Sequence, residues 1–253
     1  MSTQKHQHKK TNYFYIDEAG HINNNSNVFI HGCIKTDTPD IMKEALTNLH
    51  NELIEKPYFE ETLDVLKKQG FHAVENHPDV RSRFYEIIPF LNYRGYFLVV
   101  DKNSEYFKKI KSEKEDHEIF EFFLTELLKD RIVKNGNDHN VFIFEEIEIE
   151  KRSLDKILKS IFESLNSEYD CEYKIENKNQ INLGTIDYLN YIFFSILDSE
   201  KRNIRMEQNF NLIKQKIGVV YILNKNVYLS RKKKNHHKIN LENLFRVFGG
   251  KSG

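Results

Sequence analysis

Two periods of apolar residues run along the chain. Short aromatic and β-branched runs predict strands over 13–18 and 27–35 ("NVFIHGCIK"); the turn-forming cluster "GHINNNSN" between them makes a hairpin. Steps of three and four between Ile41, Ala45, Leu46, Leu49 and Leu53 predict an amphipathic helix from Asp40 to about Ile54. A second helical stretch is expected near 59–68, and Pro78 opens a third that carries an amphipathic run from Val80 to about Pro89. The strongest strand pattern is "RGYFLVVDK", residues 94–102. Ile119, Phe122, Phe123, Leu127 and Leu128 set a long helix over 116–133, ended by "KNGNDHN". After it come a strand "VFIFEEIEI", a helix "SLDKILKSIFESL" capped by Ser153, a strand "DCEYKIEN" and an intensely apolar helix over 182–198. The segment "GVVYILNKNVYLS" predicts a hairpin turning at Asn224 to Asn226, followed by the basic run "RKKKNHHK".

Strands interleaved with helices in this order imply the α/β class, a mixed sheet with helices on its faces. At 253 residues the chain suits one such domain with insertions. The expected organisation is a disordered basic leader over 1–11, a main domain over 12–200 with a helical insertion around 39–92, and a C-terminal helix, hairpin and basic tail over 201–253. Lys plus Arg and Asp plus Glu balance at 38 each, so a positive surface for a polyanion can come only from clustering. Cys33 and Cys171 stand far apart without CxxC spacing, and no secretory leader precedes them; a reducing cytoplasm is the simplest setting. The longest apolar candidate, "YLNYIFFSIL", falls short of the roughly 18 to 20 residues of a membrane helix, so no membrane partner is expected.

Candidate chemistry begins in "NYFYIDEAGHI", where a strand-like run ends in Asp17 and Glu18. In a strand, Tyr13, Tyr15 and Asp17 share one face, and Phe14, Ile16 and Glu18 share the other. An ionised carboxylate on a covered face is costly unless it is paired, hydrogen-bonded or bound to a metal. "NVFIFEEIEI" repeats the same grammar and ends its aromatic run in Glu145 and Glu146. A third acid, Asp187 in "NLGTIDYLNYIFFSIL", sits on the apolar side of its helix, one turn after Gly184, which leaves room for close approach of a backbone or ligand. Carboxylates from a first strand, a middle strand and a late helix suit Mg²⁺ or Mn²⁺, two of which, about 4 Å apart, drive phosphodiester hydrolysis. Crowded together without metal, such acids repel, and at least one should have a raised pKa.

These motifs resemble those of the bacterial family DUF3800, whose members are similar to the ribonuclease H-like fold. "YFYIDEAGHI" looks like that family's aromatic-hydrophobic-DESG start. "GFHAVENHPDVRSRFYEII" is similar to its histidine segment ahead of an Arg-containing helix, and "NLGTIDYLNYIFF" to its late helix with a central Asp. The likeness spans residues 13 to about 198, with Ala19 in place of the usual Ser, Gly184 where Gln is frequent and Ile186 where Ala is. It implies a ribonuclease H-like mixed sheet flanked by helices, with helical insertions and a C-terminal extension. It also implies Asp17 and Asp187 as metal ligands, with Glu145 or Glu146 supplying the middle one; only the strand register decides between these two. Glu18 is a further candidate ligand.

His72 in "FHAVE" is placed to contact the scissile phosphate or shuttle a proton. For nucleic acid, the candidate cations are Arg81 and Arg83, with Arg231, Lys232, Lys233 and Lys234 in the late basic run. His6 and His8 read as leader, and His236 and His237 as solvated neighbours of the basic run. Two functions follow from these residues. The first is a Mg²⁺- or Mn²⁺-dependent nuclease acting on RNA or DNA, with bacterial defence as its setting by analogy alone. The second is a non-catalytic nucleic-acid-binding or scaffold protein with structural acids. A protein partner or a homo-oligomer is compatible with either.

Overall fold

The computed structural model describes residues 9–23, 26–56, 63–147, 149–165, 168–177, 179–198, 202–233 and 235–248. His6 and His8 of the expected leader, the start of the helical stretch expected near 59–68, and Lys234 lie outside them. Seven strands are described: β1 (Thr11–Ala19), β2 (Val28–Thr36), β3 (Arg94–Asp101), β4 (His139–Glu145), β5 (Cys171–Glu176), β6 (Ile217–Ile222) and β7 (Val227–Ser230). They form one mixed sheet in the order β5-β4-β1-β2-β3-β6-β7. β1, β2 and β3 are antiparallel neighbours, β4 and β5 continue parallel beyond β1, and β6 runs parallel to β3. The α/β class expected from the element order is the observed one.

Helices cover both faces. On one side lie α1 (Pro39–Glu55), α2 (Asp64–Gln69), α3 (Pro78–Ile87), α7 (Leu183–Leu197), α8 (Ile204–Ile213) and α9 (Leu241–Phe248), packed on Tyr15, Ile34, Phe97 and Val141. On the other lie α4 (Glu105–Glu113), α5 (Asp116–Lys134) and α6 (Leu154–Leu165), packed on Phe14, Ile16, Phe29 and Phe142. The strand residues divide as alternation requires, and aromatic contacts join each face to its helices: Phe97 stacks on Phe193 of α7 at 4.1 Å between centroids, and Phe142, stacked on its strand neighbour Phe14, meets Phe162 of α6 edge-on at 5.5 Å. Each such ring removes about 1.5–3 kcal/mol worth of apolar surface from water. Local signals agree with the ends: Pro78 occupies the first turn of α3, where its missing N–H costs nothing, and Glu115 and Glu118 close a capping box on α5.

Several boundaries differ from the sequence expectations. α1 buries Met42, Leu46, Leu49 and Leu53, while Ile41 is 63% exposed, so its apolar stripe is offset by one residue at the start. α4 had no expectation; "EYFKKIKSE" buries only Phe107. β4 stops at Glu145, not at residue 149. The expected leader already pairs at its end, since Thr11 opens β1 and the His139 N–H donates to the Lys10 carbonyl. The C-terminal hairpin, turning through left-handed Asn226, belongs to the same sheet, because β6 pairs with β3. Cys33 and Cys171 are both free thiols, and among the described residues no helix is long and apolar enough to cross a membrane.

Candidate metal and active site

β1 and β4 run in parallel and their mutual pairing ends with Ile16 opposite Phe144, so the next residues, Asp17 and Glu145, stand side by side while each still pairs with its outer neighbour, Gly32 and Glu176. Alternation puts Tyr15 and Asp17 on the same face as Val141, Ile143 and Glu145, the face that α7 covers. Asp187 approaches from α7. The carboxyl ends of parallel strands are where open α/β sheets leave a ligand crevice, and a cavity of about 530 Å³ opens there, lined by Asp17, Glu18, Glu145, Glu146, Asp187 and His72. Six of the sequence candidates therefore meet in one place.

Two glycines permit this convergence. Gly32 faces Asp17 across the β1–β2 ladder, and a Cβ there would come within 2.0 Å of Asn190 Oδ1 and 2.7 Å of Ile186 Cδ1. The bare strand position lets α7 settle against the sheet, and Asn190 Nδ2 donates to Asp17 Oδ2 at 3.4 Å. Gly184 does the same on the helix, where a Cβ would meet Phe71 Cβ at 2.8 Å and the Phe71 carbonyl at 3.0 Å. With the backbones this close, the Ala73 N–H donates to Asp187 Oδ2 at 2.6 Å. Buried Asn76 pins the loop: its Oδ1 accepts from the His72 N–H and from the Tyr188 hydroxyl, each at 2.8 Å, and its Nδ2 donates to the Gly70 carbonyl. Asn190, Gly32 and Asn76 escaped the sequence reading. A glycine inside the otherwise apolar "VFIHGCIK" was the available signal of close approach.

The electrostatics follow from the crowding. Asp17, only 7% exposed, has its pKa raised well above the ordinary range. Burial comes first among the causes, then the charges of Glu18, Asp187 and Glu145, partly offset by the Glu18 N–H that donates to Asp17 Oδ1 at 2.8 Å. Glu18 is raised to about 7, again first by burial and then by Glu145. Glu146 differs from Glu145: its side chain is exposed and it is absent from the charges acting on Asp17 and Glu18, while its backbone N–H extends the pairing to Glu176. The register thus puts Glu145 beside Asp17, the point that the sequence left open.

As donors these carboxylates fit a hard divalent cation, since they supply oxygen ligands only and their mutual repulsion is what a cation would relieve. Among the described residues, no three His, Cys, Asp or Glu side chains are already arranged to enclose an ion.

The proposed nucleic-acid cations are not gathered at this cavity. Arg81 Nη1 donates to the Ala73 carbonyl at 2.9 Å and its guanidinium lies 5.4 Å from the Tyr191 ring, so it braces the pocket wall. Arg83 is held by Glu52 at 2.9 Å and by Glu86. β7 runs against β6 with Ser230 opposite Val219, so Arg231, Lys232 and Lys233 leave from the far end of the sheet, away from the carboxylates. No protein-family model matches the chain, and no curated protein matches it.

Proposed function

We propose that the chain is a metal-dependent nuclease with a ribonuclease H-like core, in which Asp17, Glu145 and Asp187 hold Mg²⁺ or Mn²⁺ for phosphodiester hydrolysis. One observation carries the reading: three acids remote in sequence arrive on one face at the mouth of one cavity, where burial and the other charges push Asp17 to a raised pKa. Asp17 accepts from the Glu18 N–H and from Asn190, yet the charges acting on it are all carboxylates, so its ionised form is left without a cationic partner. The mixed sheet covered on both faces supports the α/β class on which this reading builds. When bound, the cations lower the pKa of water and stabilise charge on the phosphate oxygens. Asn190 orients Asp17, Ala73 orients Asp187, and His72, fixed through its backbone by Asn76, is the proton carrier at the pocket wall. Glu18 and Glu146 stand around these ligands, Glu18 sharing their field and Glu146 reaching solvent.

The test is cleavage of labelled RNA and DNA oligonucleotides with Mn²⁺, Mg²⁺ or chelator. Wild type should cut only with metal, and Asp17→Asn and Asp187→Asn should each lose about 10²-fold or more while remaining folded, the scale on which removing one essential electrostatic group acts. Metal-independent cleavage, or full activity in both variants, contradicts the proposal. Absence of cleavage together with oligonucleotide binding that ignores the metal would favour the non-catalytic binding protein.

A further inference from the structure

The nuclease reading leaves the substrate's form unassigned, and the pocket's apolar lining bears on it. Beside the acids the cavity is lined by Val74, Ile147, Tyr191 and Phe194. Tyr191 and Phe194 follow Asp187 by four and seven positions on α7, so they rise along the same helical stripe as that acid. Both rings are only partly buried against the core, and Val74 is 65% exposed at the rim. The wall is fixed in advance. Arg81 bonds the Ala73 carbonyl while lying 5.4 Å from the Tyr191 ring, and left-handed Gly20 (φ 77°) gives Phe194 its space: a Cβ there would stand 3.1 Å from the ring. Among the described residues, no lysine or arginine lines the cavity.

We infer that the cavity takes an unpaired nucleotide, with its base against the Tyr191–Phe194 wall and its phosphate over the carboxylates. This rests on the nuclease reading and adds the substrate class to it. In a duplex the base faces are already stacked on one another, so the Tyr191–Phe194 wall would find no free face to bind. An unpaired base instead offers a π-face that aromatic side chains bind without regard to sequence. The volume of about 530 Å³ falls within the roughly 300–1,000 Å³ of pockets for ligands of this size. Positive charge for the phosphate then comes from the bound cations.

The experiment compares kcat/KM of wild type, with saturating Mn²⁺, on a single strand and on the blunt duplex of the same sequence. Tyr191→Leu and Phe194→Leu, which keep apolar bulk but remove the π-face, are assayed beside it, and their Mn²⁺-induced melting shift is recorded. The single strand should be cut at least about tenfold more efficiently, and each variant should raise KM for it by about tenfold with kcat nearly unchanged and the Mn²⁺ shift retained. Equal or better cleavage of the duplex overturns the inference and leaves the nuclease reading standing, as does an unchanged KM in variants that keep the Mn²⁺ shift. Cleavage of neither substrate removes the nuclease reading, and this inference with it. Should the variants fail to fold, the strand preference of wild type decides alone.

Discussion

Glu18→Gln offers the most quantitative handle on the carboxylate cluster, because it removes one charge while keeping the shape of the side chain. In the folded chain Glu18 holds its proton up to about pH 7 instead of its ordinary 4.5, through burial and the charges of Glu145 and Asp187. The sign follows from linkage. A raised pKa means that the folded state keeps the proton that the unfolded state gives up, so stability is lost as pH rises from about 4.5 to about 7 and is flat beyond. Each tenfold change in proton affinity is worth about 1.4 kcal/mol, so the full cost above pH 7 is about 3 kcal/mol, less whatever solvent screens at the open side of the pocket. Glutamine escapes that cost. In chelator, the variant should therefore melt with wild type near pH 4.5 and above it near pH 8. The gap should approach 6–12 °C, taking about 2–4 °C per kcal/mol for a chain of this size. Thermal melts by circular dichroism at a series of pH values measure it directly. A gap that is absent at pH 8, or that is equally large at pH 4.5, would refute the argument that crowded carboxylates raise this group.

Three further outcomes follow from the same contacts. Gly184→Ala should cost about 1–3 kcal/mol by overpacking against the Phe71 backbone, and it should weaken the Mn²⁺ response because the Ala73–Asp187 bond lengthens; urea melts with and without Mn²⁺ check both. Gly32→Ala should be at least as damaging, since its Cβ meets Asn190 and Ile186 beneath Asp17, and paired Gly32→Ala, Asn190→Ala melts should recover part of the loss if the clash with Asn190 is the cause. Lys232→Ala with Lys233→Ala should leave Mn²⁺-dependent cleavage of short oligonucleotides unchanged, because these residues leave the sheet at the end remote from the cavity; a severalfold drop in kcat/KM would show that the basic run reaches the substrate.

The faces of β1 were legible from alternation alone, whereas the meeting of Asp17 with a late helical acid was expected from the chemistry of clustered carboxylates and from the resemblance, because a carboxylate on a covered face demands an explanation. Glu145 and Glu146 could not be separated that way. Their difference lies in the pairing of Ile16 with Phe144, a contact between strands more than a hundred residues apart, and no local pattern encodes it. The same holds for β6 and β7, whose hairpin was readable but whose place beside β3 depends on tertiary packing. In α1 the local period allowed Ile41 as a first core position, yet the surface it packs on selected Met42. α4 buries too little apolar surface to leave a period at all. Gly32 and Asn190 show in the sequence only as breaks in apolar runs: one supplies empty space and the other a single polar contact, and neither role is encoded locally.

Everything functional here depends on a divalent cation being drawn to Asp17, Glu145 and Asp187. Isothermal titration of Mn²⁺ into the metal-free protein near neutral pH tests this most directly, with Asp17→Asn and Asp187→Asn run alongside and proton release followed in buffers of different ionisation enthalpy. The account expects saturable binding of one or two ions per chain, accompanied by proton release from the acids held protonated, and loss of that binding in both variants. No binding in wild type, or binding that both variants retain unchanged, would contradict it.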